Sequence, residues 1–172
     1  MSGRASPIVN VDALETTLER REGSRFAGRQ ADVGGRIGAR RLGYNVTRLE
    51  PGCAMSPFHS HHVGEEMFFV MEGSGTLRFG DQRHPVRQGD FIACPPGGSE
   101  VAHQLIAGPD GQLVFLAVGT RVEADVWSYP DSGKWGVVAG RAWDGSGPAP
   151  AGLTFANRYV VEGSEVDYWT GE

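Results

Sequence analysis

Three of the five histidines lie within four consecutive positions, His59, His61 and His62, and two glutamates, Glu65 and Glu66, follow at once. In an extended strand, residues i and i+2 point to the same face. His59 and His61 therefore project together, and His62 points away. Val63-Gly64 is a reversal signal, so a return strand can bring a carboxylate back to the same two imidazoles. Two imidazoles and a carboxylate converging from neighbouring strands suit a divalent transition metal. His103, on a later strand beyond Pro95-Pro96-Gly97-Gly98, is the natural fourth ligand. These donors admit Fe, Mn, Ni, Zn or Cu and do not choose among them. His84, just after a turn, reads as a surface residue.

The elements that must position these residues are short and extended. Leu42, Tyr44 and Val46 alternate with polar or small residues until Pro51-Gly52 ends the run. Further runs follow at Phe58–His62, Glu66–Glu72, Gly75–Phe79, His84–Val86, Phe91–Cys94, Ala102–Ala107 and Leu113–Val118, each closed by a turn signal. Short strands with a turn every ten residues or so predict an all-β antiparallel sandwich or barrel. On strand parity, Phe68 and Val70 share a face with Glu66 and line the interior, while Met67, Phe69 and Met71 form a second apolar face. Tyr44 and Arg48 are placed at inward parity, as possible acid–base groups. The N-terminal 1–39 reads as an extension with one short helix, Val11–Arg21, capped by Asp12 and carrying Leu14 and Leu18 at i, i+4. The barrel core is read as 40–120, and 121–172 as a C-terminal extension packing on it. In that extension Tyr129-Pro130-Asp131-Ser132-Gly133-Lys134 reads either as a lid or as a tight turn over the barrel. Asp144–Gly152 reads as a linker, and Leu153–Tyr168 as a strand added to the main sheet.

Composition narrows the function classes. A chain of 172 residues and 18.5 kDa suits one domain with a core of its own. Its 26 glycines and ten prolines disfavour a helical bundle. A net charge of -5 argues against nucleic acid as partner, since that affinity rests on phosphate neutralisation. The apolar runs have strand length and no membrane span is expected. Nothing resembling a secretory signal opens the sequence, so a reducing cytoplasm is the expected location. Cys53 and Cys94 match no metal motif and read as small buried hydrophobes; the spacing leaves a bridge between them open.

The order of these residues resembles the cupin superfamily. Gly52, His59-Ser60-His61, Glu66 and Gly73 resemble its first motif, and the spacing of that motif selects Glu66 over Glu65. Gly89-Asp90, Pro95-Pro96-Gly97 and His103 resemble the second. Tyr129–Lys134 and Asp167-Tyr168-Trp169 are similar to a group of bacterial single-domain cupins to which no reaction is assigned. The resemblance implies a double-stranded β-helix, or jelly-roll barrel, with one divalent metal held by His59, His61, Glu66 and His103. It also implies a homodimer. Three features depart from the pattern: six residues between Gly52 and His59, five between Gly97 and His103, and Ala107 where asparagine is frequent.

Two functions are therefore carried forward. The first is a small metalloenzyme of dioxygenase, decarboxylase or isomerase type acting on a small metal-chelating organic molecule. The second is a non-catalytic, metal-dependent module that binds or senses a small ligand. The sequence names no catalytic residue; a further acid or base inside the barrel would separate the two.

Overall fold

The computed structural model describes residues 6–139 and 155–171. The strands in chain order are β1 (Leu18–Glu22), β2 (Phe26–Asp32), β3 (Leu42–Leu49), β4 (Ser60–His61), β5 (Glu66–Glu72), β6 (Ser74–Phe79), β7 (Gln82–Arg87), β8 (Phe91–Cys94), β9 (His103–Ala107), β10 (Leu113–Thr120), β11 (Ala124–Tyr129), β12 (Lys134–Ala139) and β13 (Phe155–Val161). All named pairings are antiparallel. They form a six-stranded sheet in the order β1-β2-β3-β10-β5-β8, a three-stranded sheet β7-β6-β9, and a four-stranded sheet β13-β12-β11-β4. No helix among the described residues is long and apolar enough to cross a membrane.

The jelly roll follows from a period-two pattern. In β5, Phe68 and Val70 turn inward and are buried, at 8% and 0% exposure. They meet Leu77 of β6, Leu105 of β9, and Leu113 and Phe115 of β10 in one apolar cluster. Phe68 packs edge-on against Phe115 with ring centroids 5.4 Å apart. The chain leaves the large sheet for the small one between β5 and β6, at Gly73, with φ of 83°. A Cβ there would collide with the Gln112 carbonyl oxygen, so the corner needs glycine.

Two expectations about the ends are corrected. The helix over Val11–Arg21 is absent. One 3-10 turn, Val11–Ala13, is capped by Asn10, whose side chain accepts from the Asp12 N–H, and Leu18–Glu22 is strand β1. The Leu14 and Leu18 pair meets no core, and Leu18 is 40% exposed. A ladder of backbone bonds to β2 wins instead, pairing Leu18 with Gln30 through Glu22 with Phe26. At the other end, β13 pairs with β12 in the four-stranded sheet rather than joining the main sheet. The linker read at Asp144–Gly152 lies outside the described residues.

Candidate metal centre

His59 precedes β4 and faces the first residue of β9 across the barrel mouth. Its N–H donates to the His103 carbonyl at 3.2 Å, and the His103 N–H donates back at 2.7 Å. His61 lies two residues on, as the last residue of β4, and Glu66 opens β5 after the reversal at Val63-Gly64. The His59 ring centroid is 5.3 Å from that of His61 and 4.9 Å from that of His103. Ligand atoms of His59, His61 and Glu66 all lie within 4.8 Å of one another. Glu66 Oε2 is 3.2 Å from His103 Nε2 and 3.6 Å from His61 Nε2. His59, His61 and Glu66 thus form one cluster, and His103 borders it through Glu66.

Each imidazole is also oriented. Nδ1 of His59 donates to the Pro57 carbonyl at 2.9 Å, and Nδ1 of His103 to the Val101 carbonyl at 3.2 Å. A carbonyl oxygen can only accept, so both rings keep Nδ1 protonated, and His103 turns its Nε2 toward Glu66. His61 Nδ1 has two neighbours, Asp125 Oδ2 at 2.7 Å and the Trp127 indole N–H, which points at it from 2.9 Å. Anchoring one ring nitrogen so that the other is presented is how proteins hold metal-ligating histidines. The donor set and its tautomers fit a divalent transition metal.

The charge states agree. Burial and the neighbouring His103 push His59 down to about 4, so it is neutral at physiological pH. For Glu66, burial alone would raise the pKa. The surrounding imidazoles, His103 first, outweigh it and hold the carboxyl at about 2. A neutral nitrogen donor and an ionised carboxylate are the forms that bind a metal.

Two cavities open on this cluster. One, of about 260 Å³, lies in the barrel among Asn45, Thr47, Phe68, Gln104 and Phe115, with Glu66 and His103 on its wall. The other, of about 350 Å³, lies on the far side of His59 and His61 beneath Trp127, Tyr129, Lys134 and Tyr159. Arg20 and His59 line both.

Residues 45–119 match the Cupin domain family. The chain carries a cupin domain over these residues. It is similar to a sugar phosphate isomerase of the cupin superfamily from Silicibacter pomeroyi, 25% identical with a TM-score of 0.73 over 94% of this chain and 98% of that one. A putative sugar phosphate isomerase from Acidithiobacillus ferrooxidans is also 25% identical, with a TM-score of 0.68 over 77% of this chain and 86% of that one. A polyketide cyclase from Streptomyces resistomycificus shares the fold at 24% identity and a TM-score of 0.55, over 66% and 78% of the two chains. An uncharacterised protein of Methanocaldococcus jannaschii is 29% identical over 48 residues, 28% of this chain; the match spans 38% of that relative's length.

Against this cupin frame the other sequence expectations sort clearly. The long loop before His103 forms a 3-10 turn, Ser99–Val101, and supplies the carbonyl that anchors the His103 ring. His62 is exposed and bonds Ser128 Oγ at 2.7 Å, and His84 is exposed on β7. Cys53 and Cys94 are both free thiols, and burial pushes that of Cys94 up. The inward parity of Tyr44 and Arg48 is corrected. Thr47 and Asn45 pair with Phe115 and Ala117 and share the cavity wall with them, which assigns Tyr44 and Arg48 to the opposite face of β3. The Tyr129–Lys134 segment is the tight turn of the β11–β12 hairpin, with Pro130–Ser132 as one 3-10 turn and Gly133 at φ 58°. Asp125, Trp127 and Arg20 were not foreseen. Asp125 carried one available signal, an isolated acid beginning an apolar alternation.

Proposed function

We propose that the protein is a divalent-metal-dependent cupin enzyme of isomerase type that acts on a small hydroxy-carbonyl compound chelating the metal. The reading is carried by His59, His61 and Glu66 grouping their ligand atoms, with His103 Nε2 3.2 Å from the Glu66 carboxylate and Nδ1 of His59 and of His103 tied to backbone carbonyls. His59, His61, Glu66 and His103 would hold the ion, which supplies Lewis acidity to a carbonyl and its neighbouring hydroxyl. Around it, Asn45, Thr47 and Gln104 offer uncharged donors and acceptors for sugar-like hydroxyls. Phe68, Leu105 and Phe115 restrict water on the barrel side, which strengthens polar interactions made there. Two similar solved structures bear the name sugar phosphate isomerase, which makes sugar phosphates the first substrates to try.

The experiment has two parts. Protein purified without chelator is expected to carry close to one divalent metal per chain, and His61→Ala to lose most of it. Aldose–ketose interconversion of sugar phosphates, followed by NMR, is expected to stop on chelation and return on adding metal. Protein that takes up none of the five candidate ions refutes the metal assignment. Metal uptake without turnover of any sugar phosphate refutes the isomerase and favours the binding module.

A further inference from the structure

The cavity beneath the β11–β12 hairpin has a charge pattern that the metal reading does not require. Its wall contains two cations, Arg20 of β1 and Lys134 of β12, and no carboxylate. This occurs in a chain of net charge -5 whose only lysine is Lys134. Three arginines pair with carboxylates: Arg21 with Glu50, Arg29 with Glu19 and Arg78 with Asp131. Among the described ion pairs, neither Arg20 nor Lys134 takes part. Strand alternation explains part of this, since Arg21 points to Glu50 while its neighbour Arg20 turns to the opposite face.

Both cations are held in place. Arg20 Nη1 donates to the Met55 carbonyl at 2.8 Å, which uses one of five N–H groups and leaves the others to a ligand. Lys134 Nζ sits 5.5 Å from the centroid of the Tyr129 ring. Lys134 is half-buried against this aromatic wall and Arg20 stands exposed at the cavity rim, so the two positive charges together draw an anion to this end of the cavity. His59 and His61 line the same cavity, so a molecule anchored at the cations reaches the candidate metal ligands.

We propose that Arg20 and Lys134 form an anion subsite that holds a phosphate monoester at one end of the substrate while its other end meets the His59/His61 cluster. A phosphate monoester carries about two negative charges near neutrality, which matches two cations better than the single charge of a carboxylate. Arginine supplies the forked donors and lysine the point charge. The orientation rests on the metal-dependent reading; the subsite itself is built from residues that are not candidate ligands.

The test is titration calorimetry on the full chain with D-ribose 5-phosphate, D-ribose, D-ribonate and inorganic phosphate as probes, in parallel with metal content. The phosphorylated sugar is expected to bind at least tenfold more tightly than ribose. Arg20→Gln and Lys134→Gln are each expected to weaken it about tenfold, leaving ribose binding and metal content unchanged, and added salt should narrow the difference. Circular dichroism of each variant verifies that the fold persists. Equal binding of ribose and its phosphate overturns the subsite. So does no binding of any phosphate probe at millimolar concentration, or no effect of either substitution. Tighter binding of ribonate overturns the dianion assignment. Phosphate binding that depends on both cations in a protein that takes up no metal sustains the subsite and removes the metal reading; metal uptake with neutral substitutions does the reverse.

Discussion

At the scale of single residues, Asp125 is the group on which the centre depends without belonging to the ligand set. It is 2% exposed and is held by N–H donors from Val63 at 3.1 Å and Val126 at 2.9 Å, both to Oδ1. That leaves Oδ2 for His61 Nδ1 at 2.7 Å. Burial is the largest influence and raises its pKa, but the His61 bond and charge together with the backbone N–H groups of Val63 and Gly64 outweigh it, and the carboxyl is held below its ordinary value. The approach is possible because position 64 is glycine: a Cβ there would lie 2.8 Å from Asp125 Oδ2 and 3.3 Å from His61 Nδ1. Asp125→Asn keeps the shape but loses the charged acceptor, so metal affinity is predicted to fall about 10- to 100-fold. Competition against a chromogenic chelator measures this. An unchanged affinity in the folded variant would show that His61 is oriented without Asp125.

At the scale of elements, the β11–β12 hairpin roofs the second cavity, and its turn is fastened to the barrel. Asp131 in that turn accepts from both terminal nitrogens of Arg78 on β6, at 2.8 and 2.9 Å. The Arg78 guanidinium also lies 4.1 Å from the centroid of Phe58 and donates to Gln104 Oε1 at 3.1 Å. Asp131 is about half exposed, so solvent screens the ion pair and limits it to about 1 kcal/mol. The contact over Phe58 adds roughly 0.5–1 kcal/mol. Arg78→Ala is therefore predicted to lower the melting temperature by roughly 3–6 °C for a chain of this size. It should also loosen binding in the second cavity, by moving Tyr129 and Lys134, with metal content intact. A melting temperature equal to that of the parent protein would remove the fastening role.

At the scale of the whole molecule, the centre imposes a pH dependence on stability. His59 titrates at about 4 in the folded, metal-free protein and near its ordinary 6.5 when unfolded. Between those values the unfolded chain binds the extra proton, so stability falls as pH drops from 6.5 to 4, by on the order of 2–3 kcal/mol. Glu66 acts in the same direction lower down. Its stabilisation is present above about 4.5 and is lost as pH falls toward 2. Chelator-treated protein is predicted to melt progressively lower from pH 7 to 4, and His59→Gln to flatten that part of the profile. A flat profile in the parent protein, or an equal slope in the variant, contradicts the assignment.

Sequence alone pointed to the barrel and to the grouping of His59, His61 and Glu66, because both rest on local rules. Period-two alternation placed Phe68 and Val70 inside with Glu66, and i, i+2 parity put His59 and His61 on one face. Turn residues such as Gly73 marked the corners for backbone reasons that any fold would share. What local rules could not supply was pairing between distant segments. Leu18–Glu22 is rich in helix formers and buries no residue in the core, yet the vacant edge of β2 makes it a strand. Arg20 reaches the site only through that pairing. Asp125 stands 64 positions from His61, and its partnership exists because β11 pairs with β4, placing Trp127 opposite His61. The register of β3, which turns Thr47 rather than Arg48 to the cavity, was decided by its ladder with β10, since a shift of one residue inverts every side chain.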